Sequence, residues 1–148
     1  MIPEFDYIEL KCTDQIAFAQ LTRSKKANAF NEALWFELEK LAKWADETPH
    51  VRVLVLSGQG KHFTAGIDFT LAMSLFASVS TLPEGHKQET LYRKILKLQN
   101  AFTAFEKCRK PVITAIHGSC LGAGIDLITA CDLRYASADA QFCIKEID

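Results

Sequence analysis

The chain lacks several things, and each absence narrows its function. It has no surplus charge of one sign: 17 Lys and Arg stand against 18 Asp and Glu in 148 residues, a formal net charge of −1. That balance gives no support for a nucleic-acid or membrane-surface role. No apolar run approaches the length of a membrane-spanning helix. The five cysteines (Cys12, Cys108, Cys120, Cys131, Cys143) are odd in number and include no Cys-x-x-Cys pair. Buried free thiols in a reducing compartment are the expected state. The start, Met1-Ile2-Pro3-Glu4-Phe5-Asp6, has neither the charged-then-apolar layout of a secretory signal nor the Arg-rich layout of a transit peptide. There is no internal repeat.

What is present is a globular composition, 49% apolar, long enough for one domain with a real core. Apolar and polar residues alternate over residues 7–12 and again over 16–22, predicting a hairpin across Thr13-Asp14-Gln15. Residues 31–47 read as a helix with Leu34, Leu38, Leu41 and Ala45 on one face and Asn31 as N-cap. The apolar run 51–57 reads as a strand covered on both faces. Helices follow over 68–78 and 88–108, the second with an apolar seam of Leu91, Ile95, Leu98, Phe102 and Phe105. A strand after Pro111, a helix over 122–130 and short strands over 131–136 and 141–144 complete the order. Strands alternating with helices predict an α/β architecture with a mostly parallel sheet. Residues 141–148 stop without a polar tail or a closing helix, so a C-terminal part is expected to be missing from this chain.

Two turns carry the chemistry. Lys110-Pro111-Val112-Ile113-Thr114-Ala115-Ile116 feeds His117-Gly118-Ser119-Cys120-Leu121-Gly122-Ala123-Gly124-Ile125-Asp126, a strand running through small residues into a helix. Glycines admit a ligand close to the backbone, and the free N–H groups of a helix start hold negative charge. Asp126 is expected to be a desolvated acid one turn into this helix. The ordinary alternatives are tight helix packing for the glycines and a hydrogen-bonded core acid for Asp126. The second turn, His62-Phe63-Thr64-Ala65-Gly66-Ile67-Asp68, follows a strand and precedes a helix. It either aims backbone amides into a cleft or is a plain loop with Asp68 as cap. Glu146 is either a second acid of the site or a surface residue beside Lys145. Arg23, Lys25 and Lys26 form a basic cluster sized for a small anion.

Rival chemistries fare poorly. The order Gly122-Ala123-Gly124 is wrong for a dinucleotide fingerprint. Gly118-Ser119-Cys120-Leu121-Gly122 matches a nucleophile elbow with cysteine in place of serine. Its histidine base would have to come later, and none follows His117. His117-x-x-Cys120 offers too few ligands for a metal.

Taken together the segments resemble the enoyl-CoA hydratase/isomerase, or crotonase, superfamily. Residues 21–30 resemble its first CoA-binding segment, residues 62–68 its first oxyanion loop and residues 117–126 its second. Ala130-Cys131-Asp132-Leu133-Arg134 is similar to the stretch that follows. The resemblance implies a crotonase-like (ClpP/crotonase) α/β fold of repeated ββα units, with residues 1–148 as the core domain of a longer protein. It implies an acyl-CoA thioester substrate and no cofactor or metal. The backbone amides of Ala65 and Ala123 would hold the thioester oxygen, each such donor worth about 2.7–4 kcal/mol in a transition state. Lys25, Lys26, Ala27, Ala65, Gly66, Ile67, Asp68 and Gly122 would bind CoA or substrate.

Within the superfamily, simple hydratases carry glutamate at both positions matched here by Asp126 and Glu146. The missing methylene withdraws the first carboxylate by ~1.5 Å. Asp followed by Glu resembles the Δ3,5-Δ2,4-dienoyl-CoA isomerase branch, which implies proton removal at C2 by Glu146 and reprotonation at C6 by an acid past Asp148. Asp126 would orient groups between them. The alternatives are a hydratase or another crotonase-type isomerase, and, from another class, a non-catalytic binding or scaffold protein. The resemblance also implies a homotrimer or a hexamer and a place in fatty-acid β-oxidation. That sets the protein in a mitochondrion or peroxisome-like organelle, or in bacterial cytoplasm, with no nucleic-acid or membrane partner and no secretion.

Overall fold

The computed structural model describes residues 2–145. The chain opens with a hairpin, β1 (Ile8–Thr13) and β2 (Ile16–Leu21), closed by Asp14 and Gln15 at φ 50° and 69°. Left-handed residues give a two-residue turn the twist its strands require. Helix α1 (Glu32–Glu47) starts at Asn31, whose side-chain oxygen accepts from the Leu34 N–H at 2.9 Å. Then come β3 (Val53–Gly58), α2 (Phe69–Ala77), α3 (Glu84–Glu106), β4 (Val112–Ile116), β5 (Ser119–Leu121), α4 (Ala123–Thr129), β6 (Leu133–Ala136) and β7 (Gln141–Cys143).

The large sheet has the order β1-β2-β3-β4-β6. Its first pair is antiparallel and the rest are parallel. Each parallel step needs a crossover, and a helix supplies it. Ala17, Ala19 and Leu21 of β2, Leu54 and Leu56 of β3, and Val112 and Ile116 of β4 form the buried face. They share one core with Leu34, Leu38, Leu41 and Ala45 of α1 and with Ala101 and Phe105 of α3. The expected ββα unit is visible as β4, β5 and α4, with β5 leaving the large sheet to pair in parallel with β7 in a second, two-stranded sheet.

Four readings change. Strand β3 is not covered on both faces: its residues alternate buried and half-buried. The other face carries a row in register, Phe18, Val55, Ile113 and Leu133, whose outer members are exposed. Residues 119–121, read as part of a turn, are a strand. Helix α3 begins at Glu84 rather than residue 88, directly behind Pro83, whose fixed φ suits a helix start. Its seam is shorter than read, because only Ala101 and Phe105 are buried and Ile95 is 43% exposed.

Gly118 is where the strand connections come closest. It sits at φ +56°, and a methyl group placed on it would lie 2.1 Å from the Lys61 carbonyl oxygen. Gly85, in the first turn of α3, has nothing within 4 Å of such a methyl. Gly118→Ala is therefore expected to lower stability by about 2 kcal/mol or more. Gly85→Ala should be neutral or stabilising, by up to about 1 kcal/mol. Urea unfolding midpoints of the two variants check both.

Candidate active site

Three segments far apart in sequence meet at the ends of β2, β3 and β4. The first, residues 23–30, leaves β2 through a single 3-10 turn over Ser24–Lys26 and then holds Ala27 and Asn28 in the left-handed region at φ 48° and 52°. Lys25 and Lys26 are exposed on that turn. The left-handed pair swings the chain so that its carbonyls face the second segment, residues 58–68. Ala27 O accepts from the Ala65 N–H at 2.8 Å, and Asn28 O accepts from Thr64 Oγ1 at 2.8 Å. Phe30 N–H donates to Gly66 O at 2.7 Å, and Asp68 N–H donates to Phe30 O at 3.0 Å. The buried Asn28 side chain donates Nδ2 to Gln59 O at 2.9 Å and His62 O at 3.0 Å.

The second segment also runs beside the third, residues 117–126. Phe63 N–H donates to His117 O at 2.9 Å, Thr64 N–H to Ser119 O at 3.1 Å, and Leu121 N–H to Thr64 O at 3.1 Å. Gly66, at φ +84°, lies so close that a methyl group on it would come 2.5 Å from Leu121 O and 3.3 Å from Ala123 N. Gly124 meets Thr64 as tightly, 2.4 Å from such a methyl to Thr64 Cγ2. Side chains at these two positions would push the segments apart.

The backbone bonding decides which amides are available. Ala65 N–H is spent on Ala27 O, Gly66 N–H on Thr64 Oγ1 at 3.0 Å, and Asp68 N–H on Phe30 O. Among the described residues the Ile67 N–H has no acceptor. Neither has the Ala123 N–H, at the first residue of α4, where the helix geometry supplies no partner. The Ala65 amide, expected as an oxyanion donor, is thus occupied in this structure, whereas the amide of Ile67, two residues on, is not. Ile67 belonged to the expected binding stretch but not to the expected donor pair. Alternation along an extended segment was the available signal, since neighbouring amides point opposite ways. The Ala123 amide, the other member of the expected pair, is without an acceptor among the described residues. The two free amides belong to residues that flank one backbone contact, Gly66 against Ala123.

Asp126 departs from expectation. It is exposed, not desolvated. It sits three residues after Ala123 on α4 and so shares a face with it. With Ala130 it borders a cavity of about 500 Å³ whose other walls include Trp35, Leu98, Phe102 and Glu106. Trp35 Nε1 donates to Leu98 O at 2.8 Å, and its ring lies 5.0 Å from that of Phe102. An aromatic wall with carboxylates at its rim suits an apolar chain attached to a polar group. Glu146 lies outside the described residues. Gly122, at φ 47°, precedes α4 and donates its N–H to Cys143 O at 2.9 Å, so the two-stranded sheet holds the helix start in place.

Asp68 serves as cap and anchor together. Its carboxylate accepts from Thr70 N–H at 2.9 Å at the start of α2 and pairs with Arg23 at 2.7 Å. The Thr70 hydroxyl, then Arg23, then the Thr70 amide hold its pKa down at about 2. The rival elbow fails on the state of its sulfur. Cys120 is fully buried, and burial pushes its thiol up to about 12, so it is no thiolate near neutral pH. No group of three or more His, Cys, Asp or Glu residues able to hold a metal occurs among the described residues.

Residues 11–148 match the family model described as Enoyl-CoA hydratase/isomerase. The chain is 48% identical over 140 residues to the peroxisomal Delta(3,5)-Delta(2,4)-dienoyl-CoA isomerase of Arabidopsis thaliana, covering 93% of this chain and 50% of that protein. It is 40% identical over 150 residues to the mitochondrial enzyme of the same description from Mus musculus, covering 99% of this chain and 46% of that protein. The crystal structure of a putative enoyl-CoA hydratase/isomerase from Legionella pneumophila superposes with a TM-score of 0.80 at 31% identity, over 95% of this chain and 51% of that one. The chain thus spans about half the length of the curated relatives it matches.

The Asp68 anchor has a pH signature. Its folded-state pKa of about 2 lies below the ordinary carboxylate value of about 4. Its stabilisation is therefore present above about pH 4 and lost as pH falls from there toward 2. Asp68→Asn keeps a capping oxygen but loses the ion pair with Arg23, and should lower the thermal midpoint at neutral pH by an amount corresponding to about 1 kcal/mol. The variant should also lose less stability than the parent between about pH 4 and 2. Melting curves across that range test the sign.

Proposed function

The chain belongs to the enoyl-CoA hydratase/isomerase family, and from that we propose that it isomerises a 3,5-dienoyl-CoA to the 2,4-dienoyl-CoA in fatty-acid β-oxidation. The reading is carried by the two unspent amides, Ile67 and Ala123, at one backbone contact. The thioester oxygen accepts from both and gains negative charge as a proton leaves C2. Fixed donors of this kind contribute about 2.7–4 kcal/mol each. Glu146 removes the C2 proton. The electron pair spreads along the conjugated chain, and C6 takes a proton from an acid that the resemblance sets past Asp148. Asp126 orients groups between these two acids from the rim of the aromatic cavity. Positioned acid-base groups typically add ~10²–10⁴-fold. Double bonds and a proton move without net oxidation, so the chemistry calls for no redox group or metal.

The rest of the proposal concerns the thioester's handle and the assembly. Lys25 and Lys26 meet CoA phosphates as point charges. The Ala27, Gly66, Asp68 and Gly122 backbone shapes the channel between nucleotide and acyl group. A homotrimer or hexamer is proposed, in the organelles named for the relatives or in bacterial cytoplasm. The greater likeness to dienoyl-CoA isomerases than to the hydratases at 30–32% identity favours the isomerase reading over the hydratase one.

Two experiments test this. Turnover of 3,5-octadienoyl-CoA should exceed hydration of crotonyl-CoA. Glu146→Gln should lower isomerisation by at least ~10²-fold while CoA-thioester binding persists. Faster hydration than isomerisation, or unchanged turnover in the variant, overturns the reading. Binding without turnover in the parent chain selects the scaffold alternative. Separately, titration with acetoacetyl-CoA, an enolate-forming thioester, should shift the amide resonances of Ile67 and Ala123 strongly and that of Ala65 weakly. The reverse order would restore Ala65 as donor.

A further inference from the structure

Strand-like pairing between residues 62–64 and 117–121 is irregular before the Thr64–Cys120 bridge, where Phe63 N–H rather than His62 N–H donates to His117 O. In a regular parallel ladder extending the Thr64–Cys120 bridge, the Ser119 N–H would go to the His62 carbonyl. That carbonyl is instead taken by Asn28 Nδ2 at 3.0 Å. The Ser119 N–H goes to the side chain of the same residue, His62 Nδ1, at 3.1 Å. A ring nitrogen thus replaces a backbone oxygen in the ladder that sets the two amide-bearing segments side by side.

We propose that His62 is a positioning residue for the Ile67 and Ala123 amides, acting only as the neutral imidazole with its proton on Nε2. The inference rests on the reading of those two amides as the thioester-binding pair. An imidazolium carries a proton on both nitrogens and cannot accept. Protonation sets an Nδ1–H against the Ser119 N–H, and the rung opens. Among the described residues the other hydrogen bonds between the segments are the Phe63–His117 bond, the two Thr64 bonds and that of His117 Nε2 with Gly60 O. Gly118, next to Ser119, lets the ring lie this close, since a methyl group there would stand 3.1 Å from His62 Nδ1.

The groups around the ring are few. A cavity of about 310 Å³ beside it is lined by Lys61, Gly118, Ser119, Asp139 and Gln141. His117 Nε2 lies 2.8 Å from Gly60 O on the neighbouring turn. Asp139 receives the Ser137 hydroxyl, and that bond holds its carboxyl below the usual range. Lys61 carries the opposite charge. A proton added at Nδ1 removes the lone pair that accepts from Ser119, so the cradle would loosen through this rung.

Amide hydrogen exchange and ¹⁵N spectra of the whole chain test the inference without substrate. The imidazole of His62 should carry its proton on Nε2 near pH 8. Protection of the Ser119 amide, corrected for intrinsic exchange, should be lower by about fivefold or more in His62→Ala than in the parent at about pH 8, the effect of losing one neutral hydrogen bond. His62→Asn presents Oδ1 in place of Nδ1, and its Ser119 protection should match the parent's. With 3,5-octadienoyl-CoA, His62→Asn should restore most of the turnover that His62→Ala loses. A proton on Nδ1, or full Ser119 protection in His62→Ala, would each overturn the proposal. So would equal loss of turnover in His62→Ala and His62→Asn. Intact Ser119 behaviour in a chain that turns over no dienoyl-CoA would instead count against the isomerase reading and leave the rung standing.

Discussion

The site hangs on one buried threonine. Thr64 gives its hydroxyl proton to Asn28 O and receives the Gly66 N–H on the same oxygen. Its backbone bonds Ser119 on one side and Leu121 on the other. A single residue therefore joins the exit of β2, the exit of β3 and the small strand β5. Each bond alone is worth about 1 kcal/mol net. The stronger constraint is that every one of these groups is buried or nearly so, and a buried polar group without its partner costs more than the bond contributes. Valine would fill the space and orphan Asn28 O and Gly66 N–H together. Together with the Ala27 and Phe30 carbonyls, the Thr64 hydroxyl takes up the amides of residues 65, 66 and 68 and leaves that of Ile67 without an acceptor among the described residues.

Much of this was legible in the sequence. Asn31 capped the helix whose leucines pointed one way, and the alternation of residues 7–12 and 16–22 specified a hairpin. Residues 62–68 and 117–126 stood out because small residues, strand ends and helix starts coincided there. What stayed hidden was decided by partners distant in sequence. Ser119-Cys120-Leu121 has little to mark it as a strand until Gln141–Cys143 lies beside it. Ala65 and Ile67 look equivalent as donors until Ala27, held left-handed, claims one of them. The irregular rung at His62 depends on Asn28 reaching the same carbonyl from a third segment.

Exposure was the least legible property. Asp126 sits among Ile, Leu and Ala, a neighbourhood that reads as core, yet it falls on the face of α4 that borders the cavity. Strand β3 is apolar at nearly every position, a pattern of double coverage, while the row from Phe18 to Leu133 lies open at its ends. Apolar character describes what a position tolerates. Which faces are covered depends on the elements that lie over them.

Ala27 and Asn28 occupy consecutive left-handed conformations, a geometry that costs an L-residue roughly 1–2 kcal/mol apiece. The cost is met at folding by the Ala65, Thr64 and His62 contacts, before any visitor arrives. Those contacts hold this edge in place in the folded chain. An incoming molecule does not have to organise it, so the entropy of ordering this edge is excluded from the affinity that the molecule must supply.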